Sequence, residues 1–393
     1  MAELPSVDWT RREDLRALFA ALGDGNGRYV GGAVRDTLLG LPVKDIDVAT
    51  PLPPADVIAR LDQAGIRNIP TGIEHGTVTA LLAGRPVEIT TLRHDVSTDG
   101  RRATVAFATD WREDAARRDF TINALYADPV TLAISDWFGG LDDLAARRVR
   151  FIGDARQRIR EDHLRILRYF RFQARFGSQP ADAEAEEACA ELASTLKGLS
   201  RERIGMEMMN LLGLPQPAPT IARMAELGVL SQILPEAQPE TLADLVVQEQ
   251  TQGVAPDPLR RLAALLPPDR PLAEHIASRF RLSSAQKKRL ALAAARSDEP
   301  DDARALAYRL GPSEALDRLL LAGQSIAPLD NWDVPAFPLK GGEIVARGID
   351  AGPQVARTLR ALEDRWIAEG FPPRERVLAM LDEVAPQPLQ NRP

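Results

Sequence analysis

A chain of 393 residues, 45% apolar and 27% charged, has the make-up of a folded globular protein long enough for roughly two to four domain-sized units, which excludes a disordered or fibrous chain. Its formal charge of -7 excludes a protein that coats nucleic acid indiscriminately, because such binding sets basic charge against phosphate. The single cysteine, Cys189, excludes an internal disulfide and a cysteine-based zinc site, and fits a reducing, cytoplasmic setting.

The first 25 residues read as charged and helical, without the apolar core and small-residue cleavage site of a secretory signal. Nowhere do the ~18–20 uninterrupted apolar residues of a membrane span occur. From about Arg28 to Asp136, short β-like runs alternate with turns: RYVGG, DIDVAT, GTVTALLAG, RPVEITTLR, ATVAFA, ALYAD and LAISDWF. Hairpins are predicted where Ala83-Gly84-Arg85 and Pro129-Val130 interrupt paired runs. Beyond Asp142 helical periodicity takes over, beginning with ARQRIREDHLRILRYFRFQARF and continuing through RERIGMEMMNLLG to PQVARTLRALEDRWIAEG, with proline-bearing joints at 215–219, 267–271 and 327–338. The predicted fold is α+β: an N-terminal head with a mixed sheet, then an elongated all-α remainder. Between Arg147 and Arg175 ten arginines stand against three acids, Asp154, Glu161 and Asp162, a basic lane suited to RNA or a nucleotide.

The densest chemical signal is Tyr29-Val30-Gly31-Gly32-Ala33-Val34-Arg35-Asp36, followed by Lys44-Asp45-Ile46-Asp47-Val48. A strand ending in two glycines before a helix lets backbone N–H groups approach an anion such as a triphosphate, and Arg35 adds positive charge at that mouth. Asp45 and Asp47, two apart on a strand, project from one face and can hold Mg2+, which prefers carboxylate oxygen. Glu88, in a neighbouring β-like run, is a third candidate carboxylate; its plain alternative is a surface acid at the sheet edge. Asp162 and Arg165 are three apart and therefore side by side on a helix. A carboxylate accepts from an exocyclic amine and a guanidinium donates to a ring nitrogen or carbonyl, so the pair can read a Watson–Crick edge. Cytosine and adenine both offer an amino group beside a ring acceptor, whereas uracil and guanine do not. The alternative is an exposed salt bridge worth a few tenths of a kcal/mol.

Taken as an ordered set, these motifs resemble the class II bacterial tRNA nucleotidyltransferase and poly(A) polymerase family, whose head has the nucleotidyltransferase fold. The resemblance implies template-independent addition or repair of the 3′-terminal CCA of tRNA from CTP and ATP, with Mg2+ on Asp45 and Asp47; it implies neither DNA nor a membrane as partner. It makes Gly31, Gly32 and Arg35 nucleotide-binding. Arg117–Leu125 (RRDFTINAL) resembles the segment that holds the incoming nucleotide, with Asp119 on a ribose hydroxyl, Arg118 on the phosphates, and Asn123 within the same segment. Asp162 and Arg165 then form the protein template, and Arg168 contacts phosphates. The stretch Leu92–Arg102 resembles the family's flexible loop, needed in relatives for the switch from C to A addition. Arg201–Ile204 with Glu207 resembles a helix that braces the neck, with an Arg203–Glu207 pair at i,i+4. Pro338–Phe371 echoes the RNA-contacting tail, where Lys340-Gly341-Gly342 serves either a phosphate or a helix cap. The implied division is a head at 1–140, a neck at 141–212, a body at 213–295 and a tail at 296–393. Thr71–Thr79 (TGIEHGTVT) and the acidic balance favour the CCA-adding branch over a poly(A) polymerase, with a CC-adding or A-adding enzyme of a split system as a further alternative. The presence of Asp45, Asp47, Asp162 and Arg165 opposes a noncatalytic RNA-binding protein.

Overall fold

In the computed structural model, which describes residues 2–83, 85–99, 102–296 and 302–384, the β-like runs assemble into one seven-stranded sheet and a separate two-stranded ribbon. The strands are β1 (Arg28–Val30), β2 (Asp47–Thr50), β3 (Asn68–Gly72), β4 (Thr77–Leu82), β5 (Arg85–Thr91), β6 (Arg93–Asp99), β7 (Arg102–Phe107), β8 (Tyr126–Ala127) and β9 (Ile134–Ser135). The sheet order is β3-β4-β5-β2-β1-β8-β9, with β6 and β7 forming the ribbon. Every neighbouring pair is antiparallel except β2 and β5, which run parallel, so the sheet is mixed as predicted.

Both predicted hairpins are present, β4–β5 across residues 83–84 and β8–β9 across Pro129-Val130. Two elements differ from the sequence reading. Strand β3 carries Pro70, and proline normally argues against a strand; it is tolerated here because β3 lies at the sheet edge, where a missing N–H costs no ladder bond. Residues 92–102, read as a loop, contain β6 and the start of β7, paired antiparallel.

Alternation along the strands separates two faces. Register places Tyr29, Val48 and Ile89 side by side on one face, and there Phe19 of α1 (Glu13–Leu22) meets Tyr29 edge-on at 4.8 Å. The opposite face carries Val30, Asp47, Glu88 and Thr79 in one row across four adjacent strands. That row includes two of the three candidate catalytic carboxylates.

Helices α2 (Gly32–Leu38), α3 (Pro54–Gln63), α4 (Trp111–Ala116), α5 (Gly140–Ala145), α6 (Ala155–Glu161), α7 (Arg165–Phe176), α8 (Ala183–Glu191) and α9 (Arg201–Leu212) complete the part of the chain that matters for the site. Asp110, Asp154 and Asp182 cap α4, α6 and α8 by accepting backbone N–H groups of Arg112, Gln157 and Ala185. The buried stripe of α7 includes Tyr169, Phe170, Phe172 and Phe176, and Tyr169 and Phe172 pack around Phe120. Phe120 sits inside the RRDFTINAL segment, so aromatic packing fixes that segment to α7.

The predicted basic lane is not a bare positive strip. Arg148 and Arg150 pair with Asp143, Arg156 with Glu191, Arg158 and Arg165 with Glu161, Arg168 with Asp119, Arg171 with Glu207, and Arg175 with Asp36. Most of those acids lie outside the 147–175 window, which is why a charge count along the chain overstates the field.

The chain divides into two compact units, residues 1–235 and 236–393. The second contains nine α-helices among the described residues, from Pro239–Thr251 to Arg374–Val384. Its core holds a charged network. Glu249 receives Arg260 and Arg261 at 2.8 Å each, and Asp317 receives Arg260 at 3.1 Å and Arg289 at 2.6 Å. Asp317 is 1% exposed, and Asp317→Ala takes one of two acidic partners from Arg260, which keeps Glu249, and from Arg289, which keeps Asp257, so it is expected to cost about 2–3 kcal/mol in a denaturant titration. A cost below ~1 kcal/mol would mean that water reaches the site. Lys340 stands at the N-cap position of the short helix Gly341–Val345 and donates its N–H to Glu343, which favours the cap reading of that motif. Among the described residues no helix is long and apolar enough to cross a membrane.

Candidate active site

Strand β1 ends at Val30, and Gly31 turns the chain into α2 with φ +68°, a left-handed value natural to glycine. A Cβ there would stand 3.3 Å from Nη1 of Arg118 and 3.6 Å from the Asn123 carbonyl, so a side chain would also press on the Arg118 guanidinium. The Gly31 N–H donates to the Leu125 carbonyl, which anchors the turn to the RRDFTINAL segment.

Arg35 lies beside this turn, its Nη2 3.7 Å from where a Cβ on Gly32 would stand, but it is buried rather than open to the pocket. It is paired with Asp36 at 2.7 Å, stacked over Phe176 at 4.1 Å, and donates to Asn123 Oδ1 at 2.5 Å. Burial lowers its pKa, against the neighbouring Asp36, which raises it. Asn123 passes the contact on by donating to Asp119 at 3.0 Å. Both residues are internal braces behind the pocket wall, because α2 turns Arg35 toward the aromatic stripe of α7.

Strand register brings Asp47 beside Glu88 on neighbouring parallel strands. Neither side chain has a hydrogen bond or ion pair to a described residue. Burial pushes the Asp47 carboxyl above the usual range, and the nearby Glu88 and Asp45 charges push it further, while Arg118 opposes them. Asp45 lies just before the strand rather than on it, within reach of Asp47 by charge. Residues 41–46 run as coil after Pro42, β2 begins only at Asp47, and Asp45 is exposed. Among the described residues no group of three or more His, Cys, Asp or Glu side chains forms a ready metal shell. The donor chemistry still suits a hard divalent cation: crowded carboxylates without partners among the described residues, to which substrate oxygens could add.

Facing them is an arginine-rich wall. Arg118 donates to the Tyr126 hydroxyl at 3.0 Å and to Asp114 at 3.3 Å, and Arg117 donates to Asp114 at 2.8 Å. Burial pushes the Asp114 carboxyl up, but Arg118, Arg117 and the Tyr126 hydrogen bond outweigh it and hold it below the usual range. Asp119 behaves alike: burial raises it, and Arg168 at 2.6 Å together with Asn123 brings it down.

Asp162 and Arg165 do not share a helix. The run read as one helix breaks at 162–164, with α6 ending at Glu161 and α7 starting at Arg165. Asp162 accepts the Leu164 N–H at 3.1 Å and Arg203 at 2.7 Å, whereas Arg165 pairs with Glu161 at 2.6 Å and donates to the Arg117 carbonyl at 3.2 Å. The two are thus not an i,i+3 salt bridge. Nor do Arg203 and Glu207 pair with each other: Arg203 holds Asp162, and Glu207 receives Arg171 at 2.6 Å.

A cavity of about 570 Å³ joins these parts, bounded by Asp47, Glu88, Thr90, Arg93, Arg117, Arg118, Asp119, Asp162, Arg165, Arg168, Arg203, Met206 and Glu207. Of the predicted site residues it gathers Asp47, Glu88, Arg118, Asp119, Asp162, Arg165 and Arg168; Asp45, Gly31, Gly32, Arg35 and Asn123 are not on its lining. Sequence reasoning missed Arg93, Met206, and the supports Asp114 and Tyr126. Only the closeness of Asp114 to Arg117-Arg118 hinted at its place.

A mixed sheet that sets unpartnered carboxylates opposite an arginine wall, with helices closing the pocket, defines a nucleotidyltransferase head. Residues 27–150 match the family model described as "Poly A polymerase head domain", and residues 182–241 match "Probable RNA and SrmB- binding site of polymerase A". CCA tRNA nucleotidyltransferase 1, mitochondrial, of Mus musculus is 36% identical over 369 residues, covering 88% of this chain and 83% of its own. The CCA-adding enzyme of Geobacillus stearothermophilus is 40% identical over 203 residues, 51% of this chain and 49% of that one. The solved structure of the Bacillus stearothermophilus CCA-adding enzyme in complex with CTP superposes with a TM-score of 0.76 at 28% identity, covering 95% of this chain and 98% of the other. The chain belongs to the CCA-adding tRNA nucleotidyltransferase family.

Proposed function

We propose that this protein adds or repairs the 3′-terminal CCA of tRNA, using CTP and ATP without a nucleic-acid template and releasing pyrophosphate. The observation that carries the reading is the single cavity joining the Asp47–Glu88 carboxylates to Asp162 and Arg165. In this reading the RNA 3′-hydroxyl attacks the α-phosphate. Arg118 and Arg168 hold the phosphates, and Asp119 accepts from a ribose hydroxyl. Gly31 leaves room for the Arg118 side chain beside the phosphates, Gly32 lets the chain pass close to Arg35, and Arg35 and Asn123 steady Asp119 from behind. A Mg2+ ion on Asp47 and Asp45, with Glu88 adjacent, would supply Lewis acidity toward the attacking hydroxyl and the departing pyrophosphate.

Base choice rests on the break between α6 and α7. Asp162 keeps acceptor capacity beyond its bonds to Leu164 and Arg203. Arg165 spends Nη1 on Glu161 and the Arg158 carbonyl and one Nη2 donor on Arg117, leaving Nε–H and a second Nη2–H for a base. An acceptor beside a donor fits cytosine and adenine. Arg203→Ala frees Asp162 to swing, and is expected to lower selection of CTP over UTP about tenfold, ~1.4 kcal/mol, in single-turnover extension. Unchanged selection would leave Arg203 with a purely structural role. The cytoplasm is the setting this reading implies, with the one thiol, Cys189, buried and unpaired.

Equilibrium binding of the four ribonucleoside triphosphates to the protein without RNA tests the reading. Tighter binding of CTP and ATP than of UTP and GTP supports a protein template. Equal binding of all four would place base selection elsewhere.

A further inference from the structure

The carboxylate of Asp114 is 1% exposed and does not line the cavity, yet three residues that do line it converge on it. Its Oδ1 accepts the Arg117 Nε–H at 2.8 Å and the backbone N–H of Arg93 at 3.1 Å. Its Oδ2 accepts the Tyr126 hydroxyl at 2.5 Å and Nη2 of Arg118 at 3.3 Å. With four donors, an ionised carboxylate has filled its acceptor sites. Charge pairing accounts for the two guanidinium donors, one on each oxygen, but not for the bonds from the Arg93 backbone and the Tyr126 hydroxyl.

Arg93 is the first residue of β6, and the ribbon's root is closed around it. The Leu92 N–H donates to the Thr50 carbonyl at 2.7 Å, and the Ala108 N–H returns to the Leu92 carbonyl at 2.8 Å. Ala115 and Trp111 of α4 pack in the same apolar cluster as Leu92, Ala108 and Tyr126. A ribbon sprung from this root therefore shares one carboxylate with the guanidinium groups that face the pocket.

We propose that Asp114 is a positioning residue that couples the β6–β7 ribbon to Arg117 and Arg118, so that a triphosphate drawing on those arginines is felt at the ribbon root. The proposal rests on the nucleotide-binding reading of the cavity. A polyanion engaging Arg118 competes with Asp114 for the same N–H donors and redistributes the carboxylate's bonds, including the one to Arg93. The Tyr126 hydroxyl serves the arginine half: among the described residues it bonds Asp114 and Arg118, while its ring, which Tyr126→Phe keeps, packs with Leu92 and Ala108.

The test is hydrogen exchange of the full-length protein with and without CTP, read at residues 92–108, together with KM and kcat for CTP on a truncated tRNA. In the unaltered protein CTP is expected to change exchange at the ribbon root at least threefold. Asp114→Asn replaces one acceptor oxygen by a donor. It should raise KM for CTP about tenfold with a smaller change in kcat, and abolish the ribbon's response. Tyr126→Phe should raise KM several-fold and keep the response. Bound CTP that leaves the ribbon root unchanged in the unaltered protein would overturn the coupling while sparing the nucleotide reading, and no CTP binding at all would overturn both. A ribbon response that survives in Asp114→Asn, or is lost equally in Tyr126→Phe, would reduce Asp114 to charge balance.

Discussion

Asp47→Asn is expected to lower the rate of nucleotide addition by roughly three orders of magnitude, ~4 kcal/mol of barrier, while the fold and CTP binding persist. The residue stands in strand register with Glu88, and burial and the Glu88 and Asp45 charges all press its carboxyl toward the neutral form. Removing that charge relieves repulsion, so the metal-free variant should melt at the same temperature as the unaltered protein or a few degrees higher. A divalent cation should raise the melting temperature of the unaltered protein and not of the variant. A lower melting temperature with addition intact would make Asp47 a structural acid and remove the cation from the account. The direction of the thermal shift separates the two, because a structural acid and a metal ligand respond oppositely when the cation is withheld.

Arg165→Ala is expected to cut discrimination of CTP over UTP by roughly 5- to 150-fold, the worth of ~1–3 kcal/mol for a paired base-edge contact. Folding should change less, since the Glu161 partner is still served by Arg158 at 3.1 Å. Arg168→Ala provides the contrast. Arg168 holds Asp119 and not the base-reading pair, so its loss should weaken all four nucleotides together. Equal weakening of every nucleotide in Arg165→Ala, measured as kcat/KM for each triphosphate, would remove it from base selection.

The sheet was legible in the sequence because alternation has a period of two and glycine or proline marks most of its turns. The same rule placed Asp47 and Glu88 on strands, but the register that sets them side by side depends on pairing, which no local pattern specifies. Asp45 stands outside the strand because β2 begins two residues later than the DIDVAT run suggests. The break at Asp162 carries no glycine or proline. It comes from the Asp162 side chain accepting the Leu164 N–H and from Arg203, 41 residues away, fixing the same carboxylate. The arginines of 147–175 teach a related lesson. Their charge is visible in the chain, but partners such as Asp36 for Arg175, Asp119 for Arg168 and Glu207 for Arg171 are gathered only by tertiary packing.

The most direct measurement offers a tRNA lacking its three terminal nucleotides to the full-length protein, with Mg2+ and with CTP and ATP singly and together, and resolves the products at single-nucleotide length. Two additions with CTP alone, and growth by C, C and A followed by a stop when both are present, is the predicted result. A long run of A, arrest at CC with both nucleotides supplied, or no extension of any RNA would contradict it.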